Sequence, residues 1–203
     1  MENQDKKKEL IIDAALKRFA HFGLSKTTMT EIANDLSLSK ALLYYYFPDK
    51  ISLYSAVLGN IISLMDSELK KGTARAANSH EALGLFLNKR QEFISKYYNL
   101  LDFTKITGSD LPEELGSMFK KAKQSEVAIL TSILNKGMES GELDTCDPQE
   151  TAMLLMEALG GIVFNVLKVH TRPFFPEKEQ FDMILKRQQK LGIIFLKGLK
   201  KLN

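Results

Sequence analysis

Residues 28–50 read TMTEIANDLSLSKALLYYYFPDK, and this stretch decides the fold. Thr28 is followed three residues on by Glu31, the spacing of a capping box at a helix start. Met29, Ile32, Ala33 and Leu36 then recur at helical intervals on one side. Ser37-Leu38 leaves room only for a tight turn, and Ser39 is a ready N-cap for a helix over 40–47. Pro48 cannot continue that helix, and Asp49 is placed to cap a long following one. Two short helices joined by a tight turn, each with its own cap, make a helix-turn-helix pattern.

The run Tyr44-Tyr45-Tyr46-Phe47 cannot be core throughout, because four adjacent helical residues never share one face. Leu43 and Phe47 fall on one side with Tyr46 at its border, and that side is expected to pack on Phe19, Phe22, Ile32 and Leu36. Lys40, Ala41, Tyr44 and Tyr45 fall opposite, with Leu42 at the flank. A lysine, a small residue and two phenols suit a nucleic-acid surface. Phenol hydroxyls bond phosphates, and Leu or Ala can meet a thymine methyl. An aromatic cluster at a membrane interface is the other reading, and it would need a longer and more basic helix.

Working outward, Ile12, Ala15, Phe19 and Phe22 define a first helix, with Gly23 where a left-handed cap is expected. Beyond Asp49 a wide apolar band runs toward Lys71, and residues 72–79 (GTARAANS) read as a loop. Further helices are expected over about 81–98, 101–106, 113–138, 149–169 and 177–200, with turn clusters at 107–112, 141–147 and 172–176. Asp147-Pro148 supplies N-cap and first-turn residues for the 149–169 helix. No segment alternates with strand period. The chain is expected to be all-α.

Composition sets the outer limits. The 203 residues are 44% hydrophobic and 26% charged, so the chain can fill a core. The net charge is only +3, and residues 1–50 hold eight Lys/Arg against seven Asp/Glu. Bulk charge therefore gives no vote for nucleic acid, but the local arrangement does: 36–48 holds one lysine and no acid. The lone Cys146 fits a reducing compartment, and the N-terminus has no signal-peptide pattern. The most apolar stretch, 154–167, is interrupted by Glu157 and Asn165 and reads as too short to span a bilayer. A cytoplasmic protein without a membrane partner is expected.

Residues 28–50, together with the preceding AALKRFAHFGLSKTT, resemble the signature of the TetR family of bacterial repressors; the specific match covers about residues 8–55. The resemblance implies a helix-turn-helix DNA-binding domain over 1–50 and a helical effector-binding and dimerisation domain over 51–203. It implies a homodimer on a palindromic operator, responsive to a small-molecule effector. By position, Thr28, Thr30, Ser39, Lys40, Ala41, Leu42, Tyr44 and Tyr45 would face DNA. Lys50 would hold a phosphate beside the amides of the fourth helix. One departure stands out: the turn position usually held by glycine is Ser37.

Phe86, Phe103, Met118 and Phe164 are candidate lining for an effector pocket, and a largely apolar ligand is expected. The last two helices, with Gly160-Gly161 allowing close approach, are the expected dimer elements. His21, His80 and His170 lack metal-ligand spacing, so neither metal nor cofactor is expected. There is no GxSxG, GxGxxG or P-loop sequence, and the chain does not read as an enzyme.

Overall fold

The computed structural model describes residues 2–101, 112–169 and 178–201. These form nine helices, with no strand among the described residues beyond a single Leu143–Lys200 bridge. The helices are α1 Glu2–Lys26, α2 Met29–Asp35, α3 Lys40–Tyr46, α4 Lys50–Ala74, α5 Ser79–Lys96, α6 Tyr98–Leu101, α7 Glu113–Glu139, α8 Pro148–Val169 and α9 Lys178–Gly198. The expected loop at 72–79 begins later, since α4 runs on to Ala74. The rest of the helix expected over 101–106, the turn at 107–111 and the 172–176 turn lie outside the described residues.

The chain divides into two compact units, residues 1–64 with 96–120, and residues 65–95 with 121–203. In the first unit, Ile11, Ala15 and Phe19 of α1 are fully buried, as are Ile32, Leu43, Leu53, Leu58 and Leu100. Phe19 meets Tyr54 edge to face at 5.1 Å, and the Tyr54 hydroxyl donates to the Leu100 carbonyl. Buried phenols need such a partner, because an unpaired hydroxyl away from water is costly.

Gly23 breaks α1 with φ 75° and ψ 174°. The positive φ expected there is present, but the backbone is extended rather than left-handed, and one more turn follows before Lys26. The break frees carbonyls that the helix would otherwise use, and side chains from other helices fill them. Asn99 of α6 donates to the carbonyls of Ala20 and His21 at 2.8 and 3.1 Å. Phe22 is the correction here. It was expected in the core, yet it is 46% exposed, lying against His21 and beneath Arg18.

The second unit is built around Leu83, Phe86, Leu87, Leu130, Leu134, Leu155, Leu159 and Leu196, drawn from α5, α7, α8 and α9. Gln188, almost fully buried on α9, donates to the Leu159 carbonyl at 3.0 Å. Glu142 reaches back to the start of α5, accepting from the Ser79 amide and hydroxyl. Asp147 caps α8 by accepting from the Gln149 and Glu150 amides, both at 3.0 Å. Because α8 starts at Pro148, the apolar stretch is longer than 154–167. Pro148–Leu167 is long and apolar enough to cross a bilayer by length and composition, which corrects the reading of it as too short. Core and interface helices of water-soluble domains meet the same criterion.

Candidate nucleic-acid interface

The helix-turn-helix is held by caps that the sequence spells out. At the start of α2 the Thr28 hydroxyl accepts from the Glu31 amide at 3.2 Å, and the Glu31 carboxylate accepts from the Thr28 amide at 2.8 Å. This reciprocal pair satisfies two of the orphan donors at a helix start. At the start of α3 the Ser39 hydroxyl accepts from the Leu42 amide. Between the helices Ser37 has φ 52°, a left-handed conformation that costs a non-glycine residue roughly 1–2 kcal/mol. The turn is closed by the Leu38 amide, 2.9 Å from the Ala33 carbonyl.

A second restraint ties α2 to α1. Arg18 forks onto Asp35, with Nε 2.6 Å from Oδ2 and Nη2 2.8 Å from Oδ1, while Nη1 lies 3.4 Å from Glu31. The two-pronged geometry fixes orientation as well as distance. Hydrogen bonding from Arg18 holds the Asp35 carboxyl below the usual carboxylate range, and that from Thr28 does the same for Glu31.

On α3 only Leu43 is buried, with Phe47 closing the helix as its C-cap. Lys40, Ala41, Tyr44 and Tyr45 are exposed; Tyr45 is 70% open and Tyr44 40%. Leu42 and Tyr46 are half-buried, as the helix wheel places them. The Lys40 ammonium lies 5.8 Å over the Tyr44 ring, and Tyr45 meets Tyr46 edge to face. Thr28, Thr30 and Ser39 are exposed as well. Lys50 is positioned differently from the other candidates. It is half-buried, and its ammonium donates to the carbonyls of Leu24 and Thr27 at 2.8 and 3.1 Å. Of its three donors, these contacts leave one for a phosphate.

The effector candidates are scattered. Phe86 is fully buried in the core cluster of the second unit. Phe164 is 61% exposed on α8 of the single chain. Met118 is half-buried in the first unit, with its methyl close to Gly59. Phe103 lies outside the described residues. The second unit does hold a cavity of about 450 Å³, lined by Asn88, Gln91, Glu92 and Ser95 of α5 and by Lys178, Phe181, Asp182 and Leu185 of α9. Its polar lining follows no apolar pattern, so sequence reading had no signal for it. No cluster of His, Cys, Asp and Glu able to hold a metal occurs among the described residues.

Residues 11–57 match the family model for bacterial regulatory proteins of the tetR family. The regulator RutR of Escherichia coli K12 is 30% identical over 153 residues, covering 73% of this chain and 70% of the relative. The chain belongs to the TetR family. A crystal structure of a transcriptional regulator from Cytophaga hutchinsonii is 32% identical, with a TM-score of 0.85 over 96% of this chain and 99% of that one. The TetR fold also extends to FadR from Bacillus subtilis, solved in complex with stearoyl-CoA. That likeness has a TM-score of 0.68 and 19% identity over 91% of this chain and 97% of that one. This TetR protein is a DNA-binding transcriptional regulator, and its relatives are regulators rather than enzymes.

Proposed function

We propose that this regulator is a repressor working in the bacterial cytoplasm. As a homodimer it binds a palindromic operator and releases it when a largely apolar small molecule is bound. Residues 1–50 are its DNA-binding domain and 51–203 its effector-binding and dimerisation domain. The observation that carries the reading is the outward face of α3: Lys40, Ala41, Tyr44 and Tyr45 exposed together, with no acid between 36 and 48. A recognition helix enters the major groove by its N-terminal residues, which here include Ser39, Lys40, Ala41 and Leu42. Thr28, Thr30, Tyr44, Tyr45 and the remaining Lys50 donor hold the flanking backbone.

Dimerisation is assigned to α8 and α9. On the single chain these two helices, packed on each other, leave Leu154 53%, Phe164 61% and Ile194 58% exposed. Exposed apolar side chains on two neighbouring helices are the kind of surface that a second copy covers. A second copy covering it accounts for the apolar length of α8 without a membrane. The apolar character of the effector is inferred from the buried faces of α5, α7 and α8, and the stearoyl-CoA bound by FadR shows a ligand with a long apolar chain on a related fold. Helix α4 runs unbroken from residue 50 to 74 and belongs to both units. A ligand that binds one of two conformations better lowers DNA affinity by that difference.

Selection of bound sequences from random duplex DNA, followed by gel-shift titration, tests the assignment. A palindrome with half-sites about one helical turn apart is expected. Binding without sequence preference and with little salt dependence would instead mark a helical sensor that no longer reads DNA.

A further inference from the structure

Arg90 sits in the middle of the buried face of α5. Phe86 and Leu87 lie one turn before it, Phe93 and Ile94 one turn after, and all four are buried. The pattern of the helix calls for an apolar residue there. Glu126 occupies the equivalent place on α7, one turn before Ile129 and Leu130, which are also buried. The two charges pair across the second unit, with side chains only 12% and 9% exposed. Every other ion pair identified among the described residues is more open to solvent.

The pairing is incomplete. Arg90 engages Glu126 through Nε alone, 3.2 and 3.1 Å from the two carboxylate oxygens. Its Nη1 is buried and has no hydrogen-bond partner among the described residues. A buried donor without an acceptor is rare, because it gives up water and receives nothing in return. A pair kept only for stability would use the two-pronged fork, as Arg18 does on Asp35, or would be replaced by apolar side chains that pack as well. A buried guanidinium nitrogen left without an acceptor inside an apolar unit is instead the kind of polar group by which a binding site fixes the orientation of a ligand.

We propose that Arg90, held by Glu126, is the polar anchor of the effector site, and that the effector carries an oxygen acceptor, a carbonyl or a carboxylate, on an apolar body. The inference rests on the apolar-effector reading above and specifies the polar end of that ligand. Glu126 is a positioning residue: it offsets the charge of Arg90 and holds its Nε, which leaves Nη1 for the ligand. Because the pair is already neutral, an uncharged carbonyl suffices, and a carboxylate draws on the same Nη1 donor.

The test uses the full chain and three probes with one apolar body: decanoate, methyl decanoate and decylammonium. Binding is measured by calorimetric titration below micelle-forming concentrations. The wild type is expected to bind decanoate and methyl decanoate at least about tenfold more tightly than decylammonium, which has no acceptor. Their relative affinities distinguish the carboxylate from the neutral carbonyl. The double variant Arg90→Met/Glu126→Leu leaves no buried charge unpaired and is expected to fold, checked by circular dichroism and thermal melting. It should bind all three probes alike. Equal binding of the three by the wild type, or a preference that survives in the double variant, overturns the Arg90 assignment while leaving the apolar effector standing. No binding of any probe overturns both.

Discussion

The Lys50 ammonium lies 2.8 Å from the carbonyl of Leu24 and 3.1 Å from that of Thr27, joining the first turn of α4 to the end of α1. The last carbonyls of a helix have no internal partner, and a cation there also meets the negative end of the helix dipole. Lys50 is therefore a structural cap as well as a candidate phosphate ligand. Lys50→Met is expected to lower unfolding stability by about 1–3 kcal/mol, the range for a charged hydrogen-bonded group. Urea denaturation measures it; an unchanged midpoint would show that the cap contributes nothing.

Tyr44 and Tyr45 should behave in the opposite way. Both are exposed, so Tyr44→Ala and Tyr45→Ala are expected to change stability by no more than about 0.5 kcal/mol. Operator affinity should fall in gel-shift titrations, with circular dichroism unchanged. Lys40→Gln should in addition reduce the slope of log affinity against log salt by about 0.9 if it contacts one phosphate. Full affinity in all three variants would remove α3 as the reading helix.

Ser37 offers a gain of stability. Its φ of 52° is one that glycine adopts without steric cost. Ser37→Gly is expected to raise stability by roughly 0.5–1 kcal/mol, the left-handed strain relieved being partly offset by the freer unfolded chain. Thermal melting at matched concentration reads the result. A lower melting temperature would mean that the serine hydroxyl stabilises the turn.

The Arg18 clamp carries a pH dependence. Asp35 and Glu31 have folded pKa values below their ordinary ones, through hydrogen bonds from Arg18 and from Thr28 respectively. Their contribution is present above the unfolded carboxylate pKa, about 4, and is lost as pH falls through the folded values. Stability of the wild type should therefore decline below about pH 4, and Asp35→Asn should flatten part of that decline. Urea midpoints between pH 3 and 7 compare the two proteins; parallel curves would show that the clamp adds no linkage.

The Thr28 cap is the simplest element to remove. Thr28→Ala takes away the acceptor for the Glu31 amide and is expected to cost about 1 kcal/mol. Hydrogen exchange of the α2 amides should speed up. Exchange confined to other helices would place the effect elsewhere.

The sequence by itself determined what is local. Thr28 with Glu31, Ser39, Pro48 and Asp147 mark helix boundaries because caps and breakers act over three or four residues, and the structure places the helices at or within a few residues of them. The two-sided character of α3 followed from helical geometry, which needs no partner to predict that Leu43 and Phe47 point one way and Tyr44 and Tyr45 the other. Tertiary structure decided whatever depends on pairs distant in the chain. Phe22 had a core residue's spacing, but it lies at the surface against His21 and beneath Arg18. Asn99 is 79 residues from Ala20, and no periodicity announces that it will satisfy that carbonyl. Arg90 stood out in no sequence pattern, because its pairing with Glu126 and its unpartnered Nη1 exist only once α5 and α7 lie together. A side chain's local geometry is fixed by its neighbours in sequence; its hydrogen-bond balance is fixed by whichever helix packs against it.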